Sequence, residues 1–192
     1  KRARGGAPPR SEVAGEGWEI EIAALGEPVG KQDQYAAAHG GICAYTFHPD
    51  GRVDVEPLDI SLQTQRTMRN NFLLFYTGEA RSASKILADQ NTRTQTSDAD
   101  MLANLQRIKD IGHQSRELLE RGDLDTYGEL MHEHWEAKRE RSPGMTSGRI
   151  DDLYTLARRS GAIGGKLVGA GGGALTLLQK SGIKEAKGFG GV

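Results

Sequence analysis

In the run GKQDQYAAAHGG, from Gly30 to Gly41, the carboxylate of Asp33 is set among a cation, Lys31, and two amides, Gln32 and Gln34. A carboxylate so placed can take a proton from a hydroxyl, while carboxamides, which donate and accept hydrogen bonds, can fix a polyol beside it. Equally, an Asp in an exposed loop can simply be a solvated charge. Far downstream, Gly169, Ala170, Gly171, Gly172 and Gly173 form a run in which four of the five residues are glycine. Backbone without a Cβ reaches positive φ, allows close approach by another segment, and can turn successive amides toward an anion. A tight connection between two strands accounts for the same run without a ligand.

Other chemical readings fit less well. GAGGGA, Gly169 to Ala174, satisfies the G-x-G-x-x-A form of a dinucleotide fingerprint, but that motif opens a βαβ unit with an acidic residue about 20 positions on. Here it lies near the end of the chain and is followed by ALTLL, which is too short for the required helix. In HEH, His132 and His134 would point about 200° apart on a helix, so only His132 and Glu136 share a face, and no metal site is expected. Trp135 falls at a core spacing. Arg81, in YTGEARSAS, suits either a sugar phosphate or a surface charge at a helix start. Lys138, Arg139 and Arg141 read as a solvated helix face.

The elements that must position these residues follow from periodicity. Trp18, Ile20, Ile22, Ala23 and Leu25 suggest a short helix, although WEIEIA also alternates as a strand would. Tyr35 to Ala38 suit a helical turn, and GICAYTFHPDGRVDVEPL reads as a hairpin about Pro49-Asp50-Gly51. Phe72 to Tyr76 form a buried strand, followed by a helix from Arg81 to Gln90. Ser97 is the expected cap of a helix carrying Met101, Leu105, Ile108, Ile111, Leu118 and Leu119 before Gly122. A second helix carries Leu124, Tyr127, Met131, Trp135 and Lys138, and a third carries Ile150, Leu153, Tyr154 and Ala157 up to Gly161. The apolar runs KLV and ALTLL flank the glycines as strands. The expected class is α+β, with helices over an antiparallel sheet.

Composition limits the function. The chain has 192 residues, with 25 basic against 26 acidic, 27% charged and 36% hydrophobic. It can hold one or two compact units, and its balanced charge argues against nucleic acid or a membrane surface as partner. The single cysteine, Cys43, cannot form an internal disulfide, and no apolar run approaches the roughly 20 residues of a membrane span, so a cytoplasmic protein is expected. Residues 1–17, KRARGGAPPRSEVAGEG, lack apolar periodicity and an apolar signal core and are expected to be disordered or a ragged end.

Taken together and in order, LGEPVGKQDQYAAAHGG, NNFLLFYTGEARSASKIL, MHEHWEAKRERS and GAIGGKLVGAGGGALTLL resemble the GHMP family of small-molecule kinases, most of all its sugar-kinase branch that acts on heptose 7-phosphate. The resemblance runs from about Trp18 to Gln179. It implies transfer of the γ-phosphoryl group of ATP to a sugar hydroxyl, the anomeric one for this branch. It makes Asp33 the catalytic base, Lys31, Gln32, Gln34 and Arg81 substrate-binding residues, and Gly169 to Gly173 the wall of the same site. It also implies a remnant of the family's N-terminal domain over residues 18–66 and a ferredoxin-like C-terminal domain over 67–192. The family's phosphate-cradling Gly/Ser-rich loop, which would supply a Mg²⁺ ligand, has no counterpart here. The chain is therefore expected to be a C-terminal portion, inactive alone and prone to form homodimers. Ala174 stands where the family's third motif ends in glycine, and the tail KSGIKEAKGFGGV lacks an expected final strand. A non-catalytic ligand-binding or interaction domain derived from such a kinase is the alternative.

Overall fold

The computed structural model describes residues 7–26, 30–79, 83–96, 98–141, 144–168 and 173–180. The chain divides into two compact units, residues 1–59 and 60–192. That division falls before the 66/67 boundary read from the sequence, because helix α3 belongs with the second unit.

In the first unit, α1 spans Arg10–Glu19 and continues as a π-helical turn over Ile20–Ala24. The helical reading of WEIEIA is therefore the correct one, and the helix reaches back into a segment expected to be irregular. Helix α2, Gln32–His39, packs against α1. The hairpin expected from the sequence is present: β1, Cys43–Phe47, pairs antiparallel with β2, Val53–Pro57. Its turn is closed by His48 N donating to Arg52 O at 2.9 Å and by Gly51 at φ 86°. The edge-to-face contact of Tyr35 with Phe47, centroids 6.4 Å apart, joins α2 to the hairpin.

The second unit begins with α3, Leu62–Asn71, capped by Ser61, whose hydroxyl accepts from Thr64 N at 3.0 Å. Strand β3, Phe72–Tyr76, follows directly, then α4, Ala83–Gln95. Helices α5, Ala99–Arg121, and α6, Leu124–Arg141, form a packed hairpin around Gly122, which takes the left-handed conformation at φ 76°. Asp98, rather than Ser97, faces the start of α5 as its cap, accepting from Met101 N at 2.8 Å; Ser97 lies outside the described residues. Helix α7, Gly148–Arg159, is capped by Ser147 and leads into β4, Ala162–Val168, and β5, Ala174–Gln179. The sheet is antiparallel in the order β3-β5-β4, which confirms the α+β class.

The core of this unit gathers Trp135, Ile150, Tyr154, Ala157, Leu167, Leu175 and Leu177, with Leu73 and Phe75 of β3 against it. Strand β3 is buried on one side only: Leu74 is 69% and Tyr76 80% exposed, which corrects the fully buried strand read from its unbroken apolar run. Helix α6 meets β4 at two glycines. A Cβ on Gly164 would overlap Gly128 O, and one on Gly128 would come within 2.8 Å of Ile163 Cγ2. No other residue type allows a helix backbone to lie so close to a strand.

Candidate active site

Asp33 is exposed in the first turn of α2 rather than in a loop. Gln32 to His39 can propagate a helix because Ala36, Ala37 and Ala38 are its best formers, and an acidic residue in the first turn faces the open peptide N–H groups. Lys31 precedes this turn and is already engaged. Its Nζ donates to Gly51 O at 2.7 Å and lies 4.7 Å from the centre of the Trp18 ring. It thus ties α1, the start of α2 and the hairpin turn together, a positioning task that sequence reasoning, which assigned it to substrate, did not foresee. Gln34 turns toward α1, where its Cγ lies 3.7 Å from the place a Cβ on Gly17 would occupy, and its Oε1 is buried without a hydrogen-bond partner among the described residues. Gln32 is exposed.

An open cleft of 390 Å³ lies beside this turn, lined by Gly30, Lys31, Gln32 and the hairpin residues Phe47, His48, Gly51, Arg52 and Val53. On the hairpin, His48 Nε2 and Asp54 Oδ2 are 2.8 Å apart, and Arg52 Nη1 donates to Asp54 Oδ1 at 2.6 Å. The His48 hydrogen bond first, then the Arg52 charge, hold the Asp54 carboxyl below its usual range. The structure therefore brings Lys31 and Gln32 to one cleft, with Asp33 next to them in the chain.

Of the run from Gly169 to Gly173, only Gly173 is described; Gly169, Ala170, Gly171 and Gly172 lie outside the described residues, as does Arg81. Gly173 O accepts from Thr77 N at 3.0 Å, extending the β3–β5 pairing. A Cβ there would meet only ordinary contacts, at 3.8 Å from Glu79 O. Asp33 belongs to the first unit and Gly173 to the second.

The basic residues at the end of α6 are not a solvated face. Lys138 Nζ donates to Leu167 O at 2.8 Å, Arg139 Nη1 to the Glu136 carboxylate at 3.1 Å, and Arg141 Nε to Asn104 Oδ1 at 3.2 Å. The two histidines separate as their spacing requires. His132 Nδ1 is 2.8 Å from the Tyr154 hydroxyl, and His134 Nδ1 is 3.4 Å from Lys166 Nζ. Burial raises Tyr154 to about 12 and, with the charges of Lys166, Lys138 and Arg141, pushes His134 down to about 3. Trp135, between them in sequence, is fully buried, as its spacing implied. Lys166 was passed over in the sequence, although a lysine inside the short apolar strand GGKLV was the available signal.

The end of α5, all of α6 and α7, and the β4–β5 pair fall within residues 115–186, which match the C-terminal domain of the GHMP kinases. Residues 115–186 thus carry the C-terminal domain of the GHMP kinases. Over 167 residues it is 32% identical to the D-glycero-alpha-D-manno-heptose 7-phosphate kinase of Campylobacter jejuni subsp. jejuni serotype O:2, covering 87% of this chain and 49% of that protein. It is 29% identical over 165 residues to the bifunctional fucokinase/GDP-fucose pyrophosphorylase of Arabidopsis thaliana, covering 85% of this chain and 16% of that one. The crystal structure of a D-glycero-D-manno-heptose 1-phosphate kinase from Bacteroides thetaiotaomicron superposes with a TM-score of 0.62 at 25% identity, over 88% of this chain and 44% of that chain. The chain spans about half the length of these heptose kinases.

Proposed function

We propose that this chain is the C-terminal part of an ATP-dependent sugar kinase, with a heptose 7-phosphate as acceptor and Asp33 as the base. The observation that carries this reading is the exposed carboxylate in the first turn of α2, adjacent in sequence to the cleft-lining Gln32, in a chain that is 32% identical to a heptose 7-phosphate kinase. In the reaction, the acceptor hydroxyl gives its proton to an Asp33 carboxylate oxygen as the new O–P bond forms. The bond from the γ-phosphorus to the β,γ-bridging oxygen breaks, and ADP leaves with that electron pair. Phosphoryl transfer of this kind depends chiefly on positioning and charge stabilisation. Lys31 contributes by fixing the α2 start to the hairpin turn, and Gln32 is the exposed cleft-lining amide that meets the sugar.

The family implies Mg²⁺ with the nucleotide. Among the described residues no group of three or more His, Cys, Asp or Glu could hold a metal ion, so the side chains here do not by themselves form such a site. None of the roles above depends on one.

The test is Asp33→Asn in this chain completed with the N-terminal half of the C. jejuni relative. Asn keeps size and polarity but not basicity, so kcat on heptose 7-phosphate should fall by roughly 10²- to 10⁴-fold with KM little changed. Retention of more than about a tenth of the turnover would make Asp33 a positioning residue instead. Failure of the completed protein to phosphorylate any sugar, while still binding heptose 7-phosphate, would favour a non-catalytic binding domain.

A further inference from the structure

On the α6–β4 side of the second unit, Arg141 and Lys166 gather about His134, and among the described residues neither has a carboxylate partner. Lys166 of β4 is partly buried, and among the described residues its one hydrogen-bond partner is the neutral ring of His134, at 3.4 Å. Arg141, at the end of α6, is held along one edge by Asn104 Oδ1 at 3.2 Å. Among the described residues its two terminal nitrogens have no carboxylate. Lys138, one turn earlier, holds Leu167 O at 2.8 Å and so fixes the strand just past Lys166. The charges acting on His134 are all cationic, from Lys166, Lys138 and Arg141, and the charge acting on Lys166 is that of Arg141. Helix α5, which packs on α6, turns the uncharged Asn104 to this side, while its Arg107 is 3.3 Å from Glu133 and 3.4 Å from Glu140.

Cations drawn together out of water repel one another and lose hydration, a cost that proteins offset with a buried carboxylate or with a bound anion. The α6 C-terminus, with its partial negative charge, offsets only part of it. We propose that Arg141 and Lys166, with His134 beside them, form an anion site that takes a phosphate group. Arg141 presents a planar fork suited to phosphate oxygens, Lys166 supplies a compact charge with donors to spare, and His134, whose Nδ1 faces Lys166, offers the N–H of its other ring nitrogen as a further donor. Lys166 lies on β4, three residues before Gly169, which suits a phosphate carried by the sugar substrate or by the nucleotide. Only the identity of that carrier rests on the kinase reading; the site itself does not.

Thermal unfolding of the 192-residue chain tests it, with millimolar inorganic phosphate set against chloride of equal ionic strength. Phosphate should raise Tm by about 3 °C or more. Arg141→Gln should abolish that gain. Lys166→Met should abolish it too, and should raise Tm without phosphate because it removes the repelled ammonium. No gain in the unmodified chain, or an equal gain in both variants, would overturn the site and show only a general salt effect. Magnesium-free ATP and heptose 7-phosphate, tested in turn, name the carrier by which of them gives the larger Arg141-dependent gain. Because binding is read here and turnover in the Asp33 experiment, either proposal can fail while the other stands.

Discussion

At the scale of single residues, His134 makes the folded chain sensitive to acid. Burial and three neighbouring cations lower it from 6.5 to about 3. Between those values the unfolded chain binds a proton that the folded chain refuses, so this residue's contribution to stability is intact above 6.5 and is lost progressively as pH falls toward 3. The slope reaches at most about 1.4 kcal/mol per pH unit. His134→Gln keeps an acceptor for Lys166 but does not titrate, and should flatten the decline in urea midpoint between pH 6.5 and 4; an unchanged decline would mean other groups carry it. GKQDQ shows Asp33 as a carboxylate among a cation and two amides, but its role as base came only from the family resemblance. What its side-chain neighbours do was not legible. Whether Lys31 meets a sugar or Gly51 O depends on a hairpin turn twenty residues away.

At the scale of elements, the approach of α6 to β4 through Gly128 and Gly164 is the most demanding contact in the second unit. Gly164→Ala places a methyl against the Gly128 carbonyl, where neither backbone can yield, and overpacking of this kind costs about 1–3 kcal/mol or more. Gly148→Ala, at the start of α7 with open space around its would-be Cβ, should leave stability nearly unchanged. Chemical denaturation of both variants checks the contrast, and equal midpoints would contradict it. Helices α5, α6 and α7 were readable because long apolar stripes at three- and four-residue spacing belong to no other structure. Helix α3 was missed because LQTQRTMRNN has no such stripe: Leu62 is 71% exposed, and the helix is held by the Ser61 cap and by polar Thr64 and Asn71 that are themselves buried. The start of α1 was missed for the same reason, as only Ala14 of RSEVAGEGWE is buried. For β3, an apolar run with no alternation could not reveal that Leu74 and Tyr76 face outward.

At the scale of the whole molecule, the two units are unequal. Among the described residues the first buries only Ala14 and Tyr35 as apolar core, while the second buries Trp135, Ile150, Leu167, Leu175, Leu177 and many more. A smaller core supports less stability, so the first unit should open at lower denaturant than the second. The chain's two tryptophans divide between them, Trp18 in the first and Trp135 in the second. That partition gives each unit its own fluorophore without any label. A Trp18→Phe protein, emitting from a ring with 0% exposure, should show a blue-shifted spectrum that moves to the red only when the second core melts. A Trp135→Phe protein should report the first unit through Trp18, which has the Lys31 ammonium 4.7 Å from its ring centre, and its midpoint should come earlier. Superimposable fluorescence curves from the two variants would show that the units melt as one, and the light each emits would then no longer tell them apart.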